Sequence, residues 1–189
     1  MIWSKMKQQL ESFLSPALAG RVEYRATSYR YAPDKSGRCY ITVDKREVFN
    51  MCDISSRIKW YHTEQEIKND LDNDIQITEE DIDRVRRDSS GAIPEERLAV
   101  IARNRKISEY AKEIMASQAV LSKSDFYDAA NRFLSGSIEE CLSSREILLN
   151  IFAIVDRRVG KKRLLNMKEK MKTKHPIVQY FYELRLGSM

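Results

Sequence analysis

The sequence predicts an α+β fold, in which a small antiparallel sheet near the N-terminus is followed by a larger section made of helices. Three observations favour this class. Apolar residues in the first 14 positions recur at helical spacing, residues 22–51 change to the pattern of strands, and the rest of the chain returns to helical spacing. The chain also has only 4 prolines in 189 residues, which favours helices because proline is excluded from helix interiors.

The first section, residues 1–74, is predicted to be a helix, a three-stranded antiparallel meander and a second helix. Asp53 can begin the second helix, because its carboxylate can accept the free amide hydrogens of the first turn. Ile54, Ile58 and Tyr61 then share one face of that helix. The predicted bounds are about 3–14 for the first helix and 22–31, 38–43 and 47–51 for the strands.

The second section, residues 75–189, is predicted to be helical. A capping box begins at Ser137, and Pro176 opens the last helix. Between them, the helix that contains the strongest apolar run, 147–155, is expected to be capped by Ser144 and to end or kink at Gly160. The acidic stretch 69–74 is the best linker between the two sections. We expect the sections to pack together as one compact body, since 189 residues with 42% apolar content can bury a sizeable core.

Charge is unevenly distributed along the chain, whose net charge is +5. Residues 62–88 contain ten carboxylates and four cations, whereas residues 156–174 contain nine cations and two carboxylates. A basic segment of this kind can attract a phosphate backbone or an acidic protein through a field that salt screens. The alternative is that the two segments face each other or are solvated faces.

The strongest concentration of cations is the segment 156–164, which we call the basic elbow. It follows the apolar run directly and places five cations around Gly160. These are the predicted anion- or nucleic-acid-binding residues, Arg157, Arg158, Lys161, Lys162 and Arg163. An equally weighted alternative is that Asp156 pairs with Arg157 or Arg163, or that an acidic face of another helix pairs with the cations, which would make the elbow an internal clamp between helices.

Catalytic residues, metal ligands and cofactors are not predicted. A serine or cysteine nucleophile needs an activating base, and the only histidines are His62 and His175. His175 precedes a proline at a helix start and is better explained as a cap, while His62 with Glu66 offers only two metal ligands. The glycines are isolated, which argues against a phosphate-binding loop.

Two other sources of function lie in the meander. A nuclease needs clustered carboxylates around a divalent ion and a lysine near the attacking water, and the meander offers Glu23, Asp34, Asp44, Lys45 and Glu47 for a metal-dependent hydrolase or nuclease. The helix–strand–strand–strand–helix order resembles a double-stranded-RNA-binding domain, but such domains have a lysine-rich start to the second helix, where this chain offers only Arg57 and Lys59. Four tyrosines of the predicted sheet could stack on bases or form a packing face, namely Tyr24, Tyr29, Tyr31 and Tyr40.

Three parts of the sequence carry a resemblance to a known family. They are the basic elbow, the run His175-Pro176-Ile177-Val178 with Phe181-Tyr182-Glu183-Leu184-Arg185, and the strand pair over 22–31 and 39–44. Together they resemble an uncharacterised bacterial family of hypothetical proteins of unknown function. The resemblance implies a bacterial cytosolic setting and brings no activity, cofactor or catalytic residue with it.

A cytoplasmic protein without membrane spans is also indicated by the sequence itself. Its three cysteines have no CxxC spacing, the first residues lack a signal-peptide segment, and Asn150 interrupts the longest apolar run. A homodimer is compatible with the many large apolar groups, namely Trp3, Trp60, Tyr180, Phe181 and Tyr182.

The favoured hypothesis is therefore a non-enzymatic cytosolic binding protein with a basic patch, whose partner is nucleic acid or an acidic protein. The alternatives are the metal-dependent hydrolase or nuclease and a purely structural charge cluster with a protein–protein function.

Overall fold

A computed structural model describes residues 2–32, 34–70 and 75–189 of the chain. It has an N-terminal helix, a three-stranded sheet and then helices, so the predicted α+β class is confirmed. The elements in chain order are α1 (Trp3–Ser12), β1 (Val22–Ser28), β2 (Gly37–Val43), β3 (Arg46–Cys52), α2 (Asp53–Asn69), α3 (Glu79–Asp88), α4 (Glu95–Ser117), α5 (Lys123–Ser135), α6 (Ile138–Ser143), α7 (Ile147–Val155), α8 (Lys161–Asn166), α9 (Lys168–Met171) and α10 (Pro176–Gly187).

The sheet is the predicted antiparallel meander, with strand order β1-β2-β3. Its register places Tyr24 opposite Ile41 and Ile41 opposite Phe49, and all three side chains are buried. Because side chains alternate across a strand, the other face carries mainly polar residues. The sheet therefore has one face in the core and one polar face.

Helix α7 is the centre of the core, since all nine of its residues are buried. The ring of Phe152 lies 5.5 Å from Phe126, 5.6 Å from Tyr24 and 5.4 Å from Phe133, measured between ring centroids. Tilted and edge-on ring pairs of this kind stabilise a core beyond the burial of their area. The chain leaves this rigid helix directly into the basic elbow.

Contacts divide the chain into two compact units. One comprises Met1–Ser56 with Gln118–Met189, and the other comprises Arg57–Ser117. The predicted linker 69–74 lies mostly outside the described residues, so the predicted boundary after residue 74 stays a prediction.

The Arg57–Ser117 unit has small apolar clusters of its own. One cluster contains Ile67, Ile107 and Ala111, and another contains Val85, Leu98 and Ala102. Helix α3 begins with a reciprocal capping box, in which Thr78 and Asp81 each bond the backbone amide of the other.

Helix α2 differs from the sequence interpretation in what its apolar face meets. Ile54, Ile58 and Tyr61 share a face, as predicted, but that face is exposed at 47%, 55% and 58%. The side chains that α2 buries are Ser56, Thr63 and Ile67, on another side of the helix.

The large apolar groups considered for a homodimer are mostly used within the chain. Phe181 and Tyr182 are buried, and Trp3 packs with its ring centroid 5.9 Å from that of Phe126. Tyr180 is exposed. Within the described residues, none of the helices combines the length and apolar character that crossing a membrane requires.

Candidate functional site

Backbone contacts fix the position of the basic elbow. The amide of Ser15 donates to the carbonyl of Val155 at 2.9 Å, and the amide of Arg157 donates to the carbonyl of Phe13 at 2.8 Å. These two bonds form a short antiparallel bridge between Leu14 and Asp156. The elbow is therefore held against the loop that follows α1, and its backbone is extended where it leaves α7.

Asp156 forms an internal clamp, but its partner is Arg158 and not the predicted Arg157 or Arg163. The Asp156 carboxylate is completely buried, and it accepts from Nη2 of Arg158 at 2.7 Å, from its Nε at 3.0 Å and from its backbone amide at 2.7 Å. The Arg158 guanidinium carbon also lies 4.3 Å from the centre of the Phe13 ring. The hydrogen bonds that Arg158 donates to Asp156 raise the pKa of Arg158, and burial opposes that shift.

Arg163 is paired as well, but at the surface. Its Nη1 lies 2.7 Å from Oε1 of Glu139, and both side chains are well exposed. The hydrogen bond from Arg163 lowers the pKa of the Glu139 carboxyl. Exposed pairs of this kind contribute about 0–1 kcal/mol, so this contact ties α8 to α6 only weakly.

The three other predicted site residues remain available to a ligand. Arg157, Lys161 and Lys162 are exposed, and none makes an ion pair or side-chain hydrogen bond with the residues that the structure describes. The structure thus divides the five predicted cations into two that are paired and three that are free within the described chain.

The lysines that follow the elbow are also divided. Nζ of Lys174 donates to the carbonyl of Ser144 at 2.8 Å, and Nζ of Lys170 lies 3.5 Å from the carbonyl of Leu142. These carbonyls lie at the C-terminal end of α6, where unpaired acceptors attract cations. Burial lowers the pKa of Lys174, and the charge of Lys170 adds to that effect.

Lys172 pairs with Glu169 at 2.7 Å. Lys168 is exposed and has no such partner among the described residues. It is therefore the one lysine of the four between 168 and 174 that these contacts leave unengaged in the described chain.

A buried arginine next to the elbow was missed by the sequence interpretation. Arg185 is only 6% exposed, and its Nη2 donates to the carbonyl of Val159 at 3.4 Å, while its Nε has no partner among the described residues. Burial lowers its pKa, and the charge of Asp156 opposes that shift. Its position could have been read from spacing, since residues 178, 181, 182 and 185 share one face of α10 and all four are buried.

Three of the four carboxylates considered for a metal site are each engaged by an arginine, and the fourth, Asp34, accepts from the amide of Ser36 at 3.0 Å. Asp44 pairs with Arg21 at 2.8 Å, Glu47 pairs with Arg38 at 3.1 Å, and Glu23 pairs with Arg25. Across residues 2–32, 34–70 and 75–189, no group of three or more His, Cys, Asp and Glu side chains could hold a metal ion.

His175 and three of the four candidate tyrosines, Tyr24, Tyr31 and Tyr40, have different surroundings in the structure. His175 is the N-cap of α10, where its Nδ1 accepts from the amide of Ile177 at 3.2 Å, so the capping interpretation is confirmed. Tyr24 is buried in the core and cannot stack on a base, whereas Tyr31 is 89% exposed. Tyr40 lies on the polar face of the sheet under the guanidinium of Arg38, at 4.5 Å.

A cavity of about 270 Å³ lies between the β1–β2 turn and the start of α5. Its lining is polar and includes Asp53, Lys123 and Tyr127. The Asp53 carboxylate was expected to cap α2, but it accepts from the amides of Gly37 and Lys123, both at 2.9 Å. It thereby joins the sheet to α5, and the elbow cations are not among the residues that line this cavity.

Comparison with known proteins adds a family to this description. No curated protein and no solved structure matches the chain. A family model does match it over residues 2–186, which agrees with the resemblance to a family of unknown function seen in the sequence. The chain belongs to the SF0329 protein family.

Proposed function

We propose that this protein is a non-enzymatic binding protein that attaches to nucleic acid through the exposed cations of the basic elbow. The observation that carries the proposal is that Arg157, Lys161 and Lys162 are exposed without a carboxylate partner in the described chain. Cations in this state can displace counterions from a phosphate backbone, and the release of those counterions drives binding.

The support beneath these cations favours binding over a flexible basic tail. The elbow backbone is fixed by hydrogen bonds to Phe13 and Ser15, and the buried Asp156–Arg158 pair holds the turn from inside. A preorganised surface loses less conformational entropy when a partner binds. The buried pair therefore stabilises the same turn from which the proposed binding cations extend.

An acidic protein is the second candidate partner, because the same field would attract its carboxylates. A hydrolase or nuclease centred on the meander is not proposed, since three of its four candidate carboxylates are engaged by three different arginines. The proposed setting is the bacterial cytosol, in line with the family resemblance and with the free thiols of Cys39, Cys52 and Cys141.

The proposal can be tested with two variants of equal charge change. In R157E/K161E/K162E the elbow cations are reversed. In the matched control R97E/R103E/K112E, three exposed cations of α4 without partners in the described chain are reversed instead. Binding of labelled single-stranded DNA, duplex DNA and RNA is measured by fluorescence anisotropy between 50 and 200 mM salt.

Three phosphate contacts predict that the affinity of the parent falls roughly 20-fold for single strands and roughly 40-fold for duplex over this fourfold rise in salt. The elbow variant should lose this salt-dependent binding, and the control should keep most of it. Thermal unfolding should be similar in all three proteins, because exposed cations are changed in both variants. Equal binding by the elbow variant and the control would overturn the proposal.

A further inference from the structure

We infer that the ligand of the elbow is an extended polyanion that lies along one flank of α8 and α9, and that Lys168 belongs to the same surface. The inference rests on the proposed function, since it specifies which kind of anion that surface can bind. It adds a residue outside the elbow and distinguishes a phosphodiester chain from a small phosphate compound.

Helices α8 and α9 follow each other directly and form one helical segment. Met167 joins them with φ −90° and ψ −3°, which is close to helical backbone, and the amide of Met171 donates to the carbonyl of Met167 at 3.0 Å. Leu164 and Met171 are buried on the inner side of this segment. Its outer side can therefore act as one continuous surface.

Two exposed lysines of this segment, Lys161 and Lys168, lie on one flank of it. Lys161, Leu165 and Lys168 follow i, i+4 and i, i+3 spacing, so they share one flank of the helical segment. Lys162 lies one turn before Leu165. Leu165 is 51% exposed and carries no charge, so it does not repel a phosphate that passes between the two lysines.

The span from Lys161 to Lys168 matches a chain of phosphates better than a single phosphate ion. Lys168 follows Lys161 by seven positions along the helical segment, which corresponds to roughly 10 Å along the axis. One strand of nucleic acid carries a phosphate about every 3.4 Å of helix axis, so the same length spans about three phosphates. A single phosphate ion would reach only one or two of these cations, whereas a chain of phosphates can reach them all.

The other charges on the segment are paired or directed elsewhere. Glu169 lies four positions after Leu165, on the same flank, and its exposed carboxylate is paired with Lys172 at 2.7 Å, which offsets part of its repulsion of a phosphate. Lys170 and Lys174 point to carbonyls near the end of α6 and are left out of the surface. The row on α8 and α9 consists of Lys161, Lys162 and Lys168, and Arg157 precedes Lys161 by four positions in the elbow.

The test uses a length series and single substitutions in the full chain. Binding is measured for oligothymidylates of 2, 4, 8 and 16 nucleotides, with inorganic phosphate and thymidine monophosphate as competitors. The variants are K161E, K168E and the matched control K112E, which changes an exposed lysine of α4 by the same charge. We expect affinity to rise steeply from 2 to 4 nucleotides and the mononucleotide to compete only at far higher concentration.

K168E should weaken binding of the 16-mer about fivefold in 0.1 M salt and lower the salt slope by about 0.7, as the loss of one phosphate contact on a single strand predicts. K112E should leave the slope unchanged. If the parent bound the 16-mer but K168E and K112E bound it with equal affinity, the extended surface alone would be refuted. The same would follow if thymidine monophosphate competed as effectively as the 16-mer. If the parent binds no nucleic acid of any length, the proposed function fails as well.

Discussion

Arg158 and Arg157 are neighbours of the same residue type, and the structure predicts opposite consequences for their removal. In Arg158→Ala the Asp156 carboxylate loses its Nε and Nη2 donors and keeps the amide of residue 158. That carboxylate has no exposed surface in the folded protein, so water can reach it only through the space that the arginine leaves. In Arg157→Ala an exposed side chain without a partner in the described chain is removed.

The size of the effect follows from burial. Removal of one partner from a buried ion pair costs about 3–5 kcal/mol. Arg158 itself is 40% exposed, and water can enter the space that it leaves, so the pair stands between the buried and the surface cases. We therefore expect a loss of about 2–3 kcal/mol for Arg158→Ala, and less than about 0.5 kcal/mol for Arg157→Ala.

Thermal and urea unfolding of both variants measure this difference. For a chain of this size, 1 kcal/mol lowers Tm by about 2–4 °C, so Arg158→Ala should lower Tm by about 5–10 °C. Arg158→Lys keeps the charge but loses the planar donor pair, and it should fall between the parent and Arg158→Ala. If Arg158→Ala and Arg157→Ala melted at the same temperature, the clamp would contribute nothing and the argument from burial would be refuted.

Three further predictions concern other parts of the chain. Gly37→Ala should disrupt the β1–β2 pairing and lower yield and Tm, because an added Cβ would lie 2.1 Å from the carbonyl oxygen of Thr27. The hydrogen bond from Lys106 lowers the pKa of Asp81. The stability that Asp81 adds is therefore present above its unfolded pKa of about 3.9 and is lost as pH falls below that value. The Tm difference between Asp81→Asn and the parent should shrink below about pH 4. His175→Ala should cost about 1 kcal/mol in urea unfolding through loss of the α10 cap, while His175→Asn should restore most of it because asparagine is a good N-cap.

Local features were predictable where a single stretch of sequence determines the outcome. The helix Ile147–Val155 coincides with the predicted apolar run, but its caps are Glu146 and Asp156, where Ser144 and Gly160 were expected to bound it. The last helix begins at Pro176, as predicted, because proline suits the first turn and His175 supplies the cap. The strand Gly37–Val43 is also close to its predicted bounds.

Features that depend on distant partners were not predictable. Periodicity showed that Ile54, Ile58 and Tyr61 share a face, but it cannot show whether another element covers that face, and in the structure all three are exposed. Nor could composition show that Lys174 bonds the carbonyl of Ser144, a residue 30 positions earlier. The homodimer stays a prediction, which light scattering in solution can check.

Asp156 and Arg158 are paired while Arg157 is exposed, because the chain turns at the elbow. Asp156 leaves α7 in an extended conformation and pairs with Leu14, and the amide of Val159 then donates to the carbonyl of Asp156 at 3.2 Å. Within this turn the amide of Arg158 donates to the Asp156 carboxylate at 2.7 Å, a bond that aspartate commonly makes with the backbone two residues on. The Arg158 guanidinium therefore meets Asp156 on the inner side, where Phe13 and Phe133 flank it. Arg157 lies between the two residues and is exposed, so the cation at position 157 is available to a ligand whereas the cation at position 158 is bound to Asp156.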